Sequence, residues 1–280
     1  MMRKMENSRL FKLWMVVSTL IVLISVGFII GYIVLNGIKS ISLDFIISSP
    51  KGLPLGSEGG ILPAVVGSLL LMLIACGFAS FLALATAIYV VFYCQSSQIE
   101  NIVHIIVQCM AGVPSIVIGL FGYTFLVAKL GLGRSLLSAG LTLGVMVFPF
   151  IEVRIEKSLQ EFSTAALQSS YALGVSKAYT LFKLVLPQCK EDIVAAITLA
   201  GGFAMGATAP IILTGAVIFA PIPSSLSSPV MALPFHLYIL TGEGISLEKA
   251  YATALVLITL IFAINIISIA LTSRRKEVGS

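Results

Sequence analysis

A polar segment interrupts an otherwise apolar chain, and it holds the side chains best suited to act on another molecule. It spans Glu152–Asp192 and carries five basic residues, Arg154, Lys157, Lys177, Lys183 and Lys190. Inside it, the run Tyr171-Ala-Leu-Gly174 is followed by Leu184-Val-Leu-Pro187. In a hydrophobic chain, one structured polar segment of this kind is expected to receive force from a soluble protein, and it therefore indicates active transport.

The residue patterns that enzymatic or metal chemistry needs are missing. The sequence has no P-loop, no HExxH motif, and no serine, histidine and aspartate in a plausible catalytic order. Its four cysteines show neither CxxC nor Cys/His spacing, which predicts no disulfide and no metal site. His104 and His236 are expected to be packed or interfacial side chains. We therefore expect no catalytic residue, no metal ligand and no cofactor bound by this chain, and we do not expect an enzyme.

The composition is that of a protein dissolved in lipid. Of the 280 residues, 58% are hydrophobic and only 10% are charged, and the mean hydropathy is +1.08. A soluble domain carries roughly a quarter charged residues. The net charge of +5 does not form a continuous basic face, so nucleic-acid binding is not predicted.

The apolar runs predict an all-α, polytopic membrane protein. A span needs about 20 apolar residues. Six runs meet this need, and together they predict one membrane domain over residues 1–280, with segment 152–192 as a loop within it. The predicted spans are Leu13–Ile38, Ile61–Phe92, Asn101–Ala128 (broken at Gly112-Val-Pro114), Ser135–Ile151, Ile193–Phe219 and Ala250–Ser273.

The basic residues predict the orientation of these spans. Six spans put both termini on one side, and that side receives twelve of the 17 lysines and arginines. By the positive-inside rule, the termini and the polar segment are cytosolic. The exterior then holds Lys39–Glu58, a loop with one short helix, and Ala220–Lys249. Within the latter, Pro229–Tyr238 is apolar enough to dip into the bilayer or lie on it.

Local signals predict the shape of the polar segment. A helical pattern covers Leu159–Leu173, and Gly174 is suited to end it in a left-handed conformation. Ser176 is placed to cap a second helix over Lys177–Val185, which Pro187 is expected to stop. The alternative is a loop that only connects two spans, although a simple connection would not need such helix-capping and helix-ending residues.

These residues resemble a known transporter family. Nine residues separate Gly174 from Leu184, and one more separates Leu184 from Leu186-Pro187. This spacing is similar to that of the "EAA" loop of permeases from binding-protein-dependent ABC importers. The resemblance extends over about residues 10–275 and is greatest to the PstA-type permeases of phosphate importers. The further motifs that carry it are Gly59–Ser68, Gly112–Phe121, Ser170–Lys177, Gly206–Pro210 and Ala232–Tyr238.

The resemblance implies a fold, a function and a set of partners. It implies a type I ABC importer permease (MetI-like) fold in the cell membrane, which moves inorganic phosphate by alternating access. The implied partners are a second permease (PstC-like), two cytosolic ATP-binding subunits (PstB-like) that use ATP and Mg, and an extracytoplasmic phosphate-binding protein (PstS-like). The residues implied to couple the permease to the ATPase are Gln168, Ser169, Ser170, Ala172, Leu173, Gly174, Leu186 and Pro187.

The chain departs from the family pattern at two places. Gln168-Ser169-Ser170 stands where the family usually has Glu-Ala-Ala, which removes one charge from the loop. On the fifth span, Phe203 and Ala207 stand where the family usually has arginine and glutamate. Loss of one partner would leave an unpaired buried charge, so loss of both is self-consistent.

The resemblance also implies a substrate pathway along the fifth span and near the break in the third. Charge to guide an anion would come from the partner permease, or backbone amides and hydroxyls near Gly112-Val-Pro114 would do so. Alternatively, Gly112, Gly119, Gly122 and Gly206 only allow close helix packing. The predicted pathway residues are Gly112, Pro114, Ser115, Phe203, Ala207, Thr208 and Pro210.

Other functions remain open at this point. The substrate could be another tetrahedral oxyanion, a phosphate ester or a phosphonate. A channel or secondary transporter would need functional charges inside its spans. A non-transporting membrane sensor would work even when substrate movement is blocked.

Overall fold

The computed structural model describes residues 2–273 except Leu55, with side chains described from residue 10 to residue 270. The helices within these residues are α1 (Met2–Gly37), α2 (Leu43–Ile47), α3 (Leu62–Ile88), α4 (Ser97–Gly112), α5 (Ser115–Gly122), α6 (Leu136–Gln160), α7 (Thr164–Ala172), α8 (Lys177–Thr180), α9 (Leu186–Gly206), α10 (Ala209–Thr214), α11 (Leu233–Gly242) and α12 (Leu247–Ser273). Turns of π-helix extend α3, α5 and α8 over Tyr89–Tyr93, Tyr123–Lys129 and Leu181–Val185. A 3₁₀ turn follows α1 at Ile38–Ser40, and a small antiparallel pair joins β1 (Pro50–Lys51) to β2 (Glu58–Gly59).

Four of the described helices are long and apolar enough to cross a membrane, or up to five if the bent α4–α5 pair is one span. The helical nature of the first, second and sixth predicted spans is thereby confirmed. No residue of the most apolar window of the first helix is buried within the chain, so its apolar surface is available to lipid or another subunit. The four are Leu10–Ser40, Leu62–Tyr93, Leu136–Gln160 and Leu247–Ala270.

The third and fifth predicted spans are both broken helices. The axes of α4 and the extended α5 differ by 100°, so they do not form one straight span. The fifth was predicted as one span over Ile193–Phe219, which is wrong. Its helix α9 starts at Leu186, stops at Gly206 and is followed by the separate α10. Lys190-Glu-Asp192 lies in the first turns of α9 and lowers its apolar character.

The fourth predicted span is longer than expected. Its end was predicted at Ile151 because Glu152 is charged, yet α6 continues to Gln160. Glu152 and Glu156 are both buried in it. The helix tolerates Glu156 because His104 on α4 lies 2.8 Å from the carboxylate, a pairing that the sequence does not reveal.

Small residues bring the central helices together. Helix α3 presents fully buried alanines at every fourth position, Ala75, Ala79, Ala83 and Ala87. Gly144 of α6 packs against this stripe, because a Cβ placed there would lie 3.1 Å from the Ala75 carbonyl oxygen. Small side chains let membrane helices approach closely. Helices α3, α6 and α9 pack together in the centre, and this packing fixes α6.

The two segments predicted as exterior, Lys39–Glu58 and Ala220–Lys249, both contain ordered structure. The single short helix expected in Lys39–Glu58 is confirmed as α2. Residues Val230 to Leu233, however, are buried inside the protein and face neither water nor bilayer. The Leu233 amide donates a hydrogen bond to Ser68 Oγ at 2.8 Å. The apolar character of this stretch therefore serves internal packing.

Candidate coupling segment and substrate pathway

The polar segment forms a helical hairpin on the end of α6, which we call the coupling segment (residues 161–187). The predicted helix over Leu159–Leu173 is wrong in its start, because the chain turns after Gln160 and α7 begins at Thr164. Ser163 ends this turn, and its side chain accepts a hydrogen bond from the Ala166 amide at 3.3 Å. Such a cap satisfies an otherwise unpaired amide of the first helical turn.

The turn between the two helices of the hairpin has the predicted geometry. Gly174 has φ +74°, which confirms the left-handed conformation that glycine adopts without strain. Ser176 accepts a hydrogen bond from the Tyr179 amide at 3.3 Å, which confirms it as a cap. Ser170 Oγ and Thr180 Oγ1 lie 2.8 Å apart and link α7 to α8.

Pro187 does not stop the second helix, contrary to the prediction. Helical backbone continues from α8 through the π-helical turn and into α9. Pro187 lies in the first turn of α9 and has no amide hydrogen to donate to the preceding helical turn. A π-helical turn changes the hydrogen-bond register, and this one directly precedes the proline.

The coupling segment has a buried face and an exposed face. Phe162, Leu181 and Val185 are buried and belong to the main hydrophobic core. Tyr179 and Phe182 are more than half exposed, although they lie close in sequence to these buried residues. The segment is therefore fixed to the membrane helices on one side and presents aromatic side chains on the other.

The predicted coupling residues lie in three environments. Ser170 lies inside the hairpin, Leu186 packs against the core, and Pro187 is exposed at the start of α9. The other five are exposed on α7 and its turn, with Leu173 exposed to 83%. These five are Gln168, Ser169, Ala172, Leu173 and Gly174. The prediction missed Tyr179 and Phe182. Aromatic residues in a polar segment are the sequence feature that could have indicated them.

Six of the seven predicted pathway residues lie at two helix breaks, and the seventh, Phe203, lies within α9. Val113 and Pro114 are extended between α4 and α5, and Ala207 is extended before α10. Pro114 lies in the first break and Pro210 closely follows the second, and proline removes an amide donor. Neither Pro114 nor Thr208 caps its helix through a side chain.

The glycines at these breaks fall into two classes. A Cβ on Gly119 would lie 2.9 Å from Pro210 Cα, so this glycine brings α5 against α10. A Cβ on Gly122 would clash with Thr142 of α6. Gly112 and Gly206 have open space around them. Close packing thus explains Gly119 and Gly122 but does not explain Gly112 and Gly206.

Phe203 lies apart from the α4–α5 break. Its side chain is 53% exposed, and its ring centroid is 5.0 Å from that of Phe150 on α6. Both rings line a cleft of about 400 Å³ between α6, α9 and α12, which we call the Phe203 cleft. The sequence prediction missed two polar members of this cleft, Arg154 and Asn265.

A second cleft, of about 390 Å³, lies on another face of α6 against α4. Its Glu156 carboxylate contacts His104 at 2.8 Å and accepts a hydrogen bond from Gln160 at 2.7 Å. His104, expected to be packed or interfacial, is paired with this carboxylate, and its side chain is 32% exposed. Glu152 is 1% exposed, and neither carboxylate oxygen has a hydrogen-bond partner among the described residues.

Comparisons with known proteins agree with this architecture. The family model for "Binding-protein-dependent transport system inner membrane component" matches residues 79–277. The chain is 29% identical over 252 residues to "Probable phosphate transport system permease protein PstA" of Methanocaldococcus jannaschii, covering 85% of this chain and 89% of that protein. It is 28% identical over 261 residues to "Phosphate transport system permease protein PstA" of Mycobacterium leprae, covering 90% of this chain and 84% of that protein.

Solved structures resemble this chain in fold. An inward-facing structure of the MetNI methionine ABC transporter matches with a TM-score of 0.64 at 17% identity, covering 76% of this chain and 95% of that chain. A bacterial ABC transporter involved in import of the acidic polysaccharide alginate matches with a TM-score of 0.53 at 15% identity, covering 76% of this chain and 79% of that chain. The predicted type I importer permease fold is thereby confirmed.

Proposed function

Because the chain belongs to the family of inner membrane components of binding-protein-dependent transport systems, we propose that it is the PstA-type permease subunit of an importer for inorganic phosphate. The names of its relatives support the substrate. The observation that carries the coupled mechanism is the coupling segment, which is buried against the core on one face and exposes Leu173 at its turn.

The partners follow from this role. Two cytosolic ATP-binding subunits hydrolyse ATP with Mg. This chain itself binds neither ATP nor Mg. A second permease completes the membrane unit, and an extracytoplasmic binding protein delivers the anion. Both termini are cytosolic, as the distribution of basic residues predicts. ATP binding moves the coupling segment, and the membrane helices then alternate between outward-facing and inward-facing states.

A second candidate substrate has one observation in its favour. The Phe203 cleft carries two phenylalanine rings, Phe150 and Phe203, on its walls. An apolar wall suits an organic substituent better than a bare oxyanion. A phosphonate or phosphate ester that keeps the tetrahedral anionic group is therefore the alternative to inorganic phosphate.

Uptake by the reconstituted complex tests the function. Proteoliposomes would contain this chain, its partner permease and its ATPase, with binding protein outside and ATP inside. We expect uptake of radiolabelled phosphate that requires hydrolysable ATP and resists competition by excess sulfate. Equal uptake with a non-hydrolysable ATP analogue would contradict an ABC importer and favour a channel or secondary transporter. ATP-dependent uptake of a phosphonate in place of phosphate would favour the second candidate.

A further inference from the structure

Arg154 lies on α6 where two hollows meet. It lines the Phe203 cleft together with Phe203 and Asn265. It also lines a smaller hollow of about 180 Å³, which we call the Asp192 hollow, together with Lys157 and Asp192. A solute that leaves the Phe203 cleft for the Asp192 hollow would pass the guanidinium group.

Arg154 is the one charged residue among those that line the Phe203 cleft. Where side chains are described, from residue 10 to residue 270 without Leu55, the ion pairs are His104–Glu156 and Lys157–Glu161, and neither involves Arg154. Arg154 is an exposed residue, and its guanidinium stays protonated at any physiological pH. Its charge is therefore available to a ligand.

The chemistry of this position suits a tetrahedral oxyanion. A guanidinium presents five N–H donors in a planar fork that matches two oxygens of a phosphoryl group. On the same cleft, Asn265 is fixed by a hydrogen bond from its Nδ2 to the Ile261 carbonyl at 2.8 Å. One amide hydrogen of Asn265 remains for a second contact, because an amide group has two.

We infer that Arg154 binds the transported anion, and that it supplies from α6 the positive charge that Phe203 does not supply from α9. This inference rests on the proposed function and names the side chain that would select the anion. The ligand class is an oxyanion with a phosphoryl group, which contacts the guanidinium as it moves between the Phe203 cleft and the Asp192 hollow.

A structural role for Arg154 is the competing explanation. Asp192 lines the Asp192 hollow as well, and its carboxylate accepts a hydrogen bond from Ser158 at 3.0 Å. If Arg154 only balanced this carboxylate, Asp192→Asn would impair transport as much as Arg154→Gln. If it binds the anion, Asp192→Asn should leave the KM for phosphate close to the wild-type value.

The test measures KM and kcat for phosphate uptake in the proteoliposomes described above. Arg154→Gln should raise KM at least about tenfold, the scale of one charge-assisted hydrogen bond. Arg154→Lys, which keeps the charge but loses the fork, should lie between Gln and wild type. The double variant Arg154→Gln/Phe203→Arg returns a guanidinium to the opposite wall and should recover most of the loss. Lys190→Gln is the matched control and should behave as wild type.

Two outcomes overturn the inference without touching the proposed function. One is wild-type KM in Arg154→Gln, and the other is an equal loss in Asp192→Asn. If the wild type does not transport phosphate, the proposed function fails independently of this inference. The same variants are then assayed with the oxyanion that the wild type does transport.

A labelling experiment on the wild-type complex does not depend on transport or on variant folding. Phenylglyoxal modifies accessible arginines, and mass spectrometry resolves the modified sites. Inorganic phosphate should slow the modification of Arg154 severalfold and leave Arg134, which is exposed before α6, unchanged. Equal rates at Arg154 with and without phosphate would contradict anion binding there.

Discussion

The turn of the coupling segment and the two helix breaks of the pathway interrupt the chain in different ways. The turn at Gly174 lies between capped helices, with Ser163 and Ser176 hydrogen bonded to the first-turn amides. The breaks at Pro114 and Thr208 carry no side-chain cap. The proposed coupling turn is thus held by side-chain caps, whereas the proposed pathway has breaks without side-chain caps.

The largest expected effect follows from straining the rigid turn. Gly174→Val places a β-branched side chain at φ +74°, a conformation that costs about 1–2 kcal/mol or more for such residues. Distortion of the turn should reduce ATP-dependent uptake at least about tenfold. Gly131→Val is the matched control, since Gly131 has φ +68° and open surroundings far from the coupling segment in sequence. Similar uptake by both variants would remove the distinction between the turn and an ordinary loop.

A second change tests the exposed tip of the turn. Leu173→Asp puts a charge on a side chain that is 83% exposed, so it should leave folding intact. If the tip docks on the ATPase, the variant should lower co-purification of that subunit, at a cost of about 1–3 kcal/mol in binding. Leu53→Asp is the control, because Leu53 is 98% exposed in a different loop. Full ATPase binding by Leu173→Asp would contradict docking through the tip.

A third change concerns the contact between the two broken helices. Gly119→Ala would place a methyl group 2.9 Å from Pro210 Cα, and such overpacking costs typically about 1–3 kcal/mol. The variant should melt at a lower temperature in detergent and transport less. Gly77→Ala adds a methyl group to a helical glycine in open space and should melt as the wild type does. Equal melting temperatures would show that α5 and α10 are free to move apart.

The cap of α8 gives a smaller effect. Ser176→Ala removes the acceptor for the Tyr179 amide, a loss of about 1 kcal/mol. We expect faster amide exchange in α8 and only modestly reduced uptake. Ser225→Ala, in the exposed loop before α11, serves as the control. Unchanged exchange in α8 would mean that the cap does not make the turn rigid.

A last prediction, of an effect confined to acid pH, concerns a buried histidine outside both regions. His236 on α11 lies 3.2 Å from Thr253 Oγ1, and burial together with the nearby Lys249 lowers its pKa to about 4. Histidine in the unfolded chain has a pKa of about 6.5, so between about pH 6.5 and pH 4 the unfolded chain binds a proton that the folded protein does not bind. Stability is therefore complete above about pH 6.5 and falls as the pH drops towards 4. Melting temperatures across this range should show the decrease in wild type and less of it in His236→Gln.

Sequence alone predicted the features that local chemistry controls. The left-handed Gly174 and the cap at Ser176 follow from the residues beside them, and both are present. The break after Gly112 follows from Pro114 in the same way. These features need no knowledge of which helices lie next to one another.

Features that depend on distant contacts were missed. The charge of Glu152 suggested the end of a span, but α6 continues past it to Gln160. Glu156 in this extension pairs with His104, 52 positions away in sequence. The segment Val230 to Leu233 looked lipid-facing because nothing local shows that Ser68 binds its backbone. In the sequence, Arg154 is one basic residue of a polar segment, and only the folded chain brings it to the same cleft as Phe203.

The continuity of the chain through Pro187 has a mechanical consequence. Helical backbone runs without a loop from Lys177, beside the Gly174 turn, to Gly206, beside the Ala207 break. Its contour length is about 45 Å at 1.5 Å per residue. No loop within this run would absorb a displacement at one end, so we expect it to transmit part of that displacement to the other end. We therefore expect the backbone conformation at Ala207 to change when the hairpin moves.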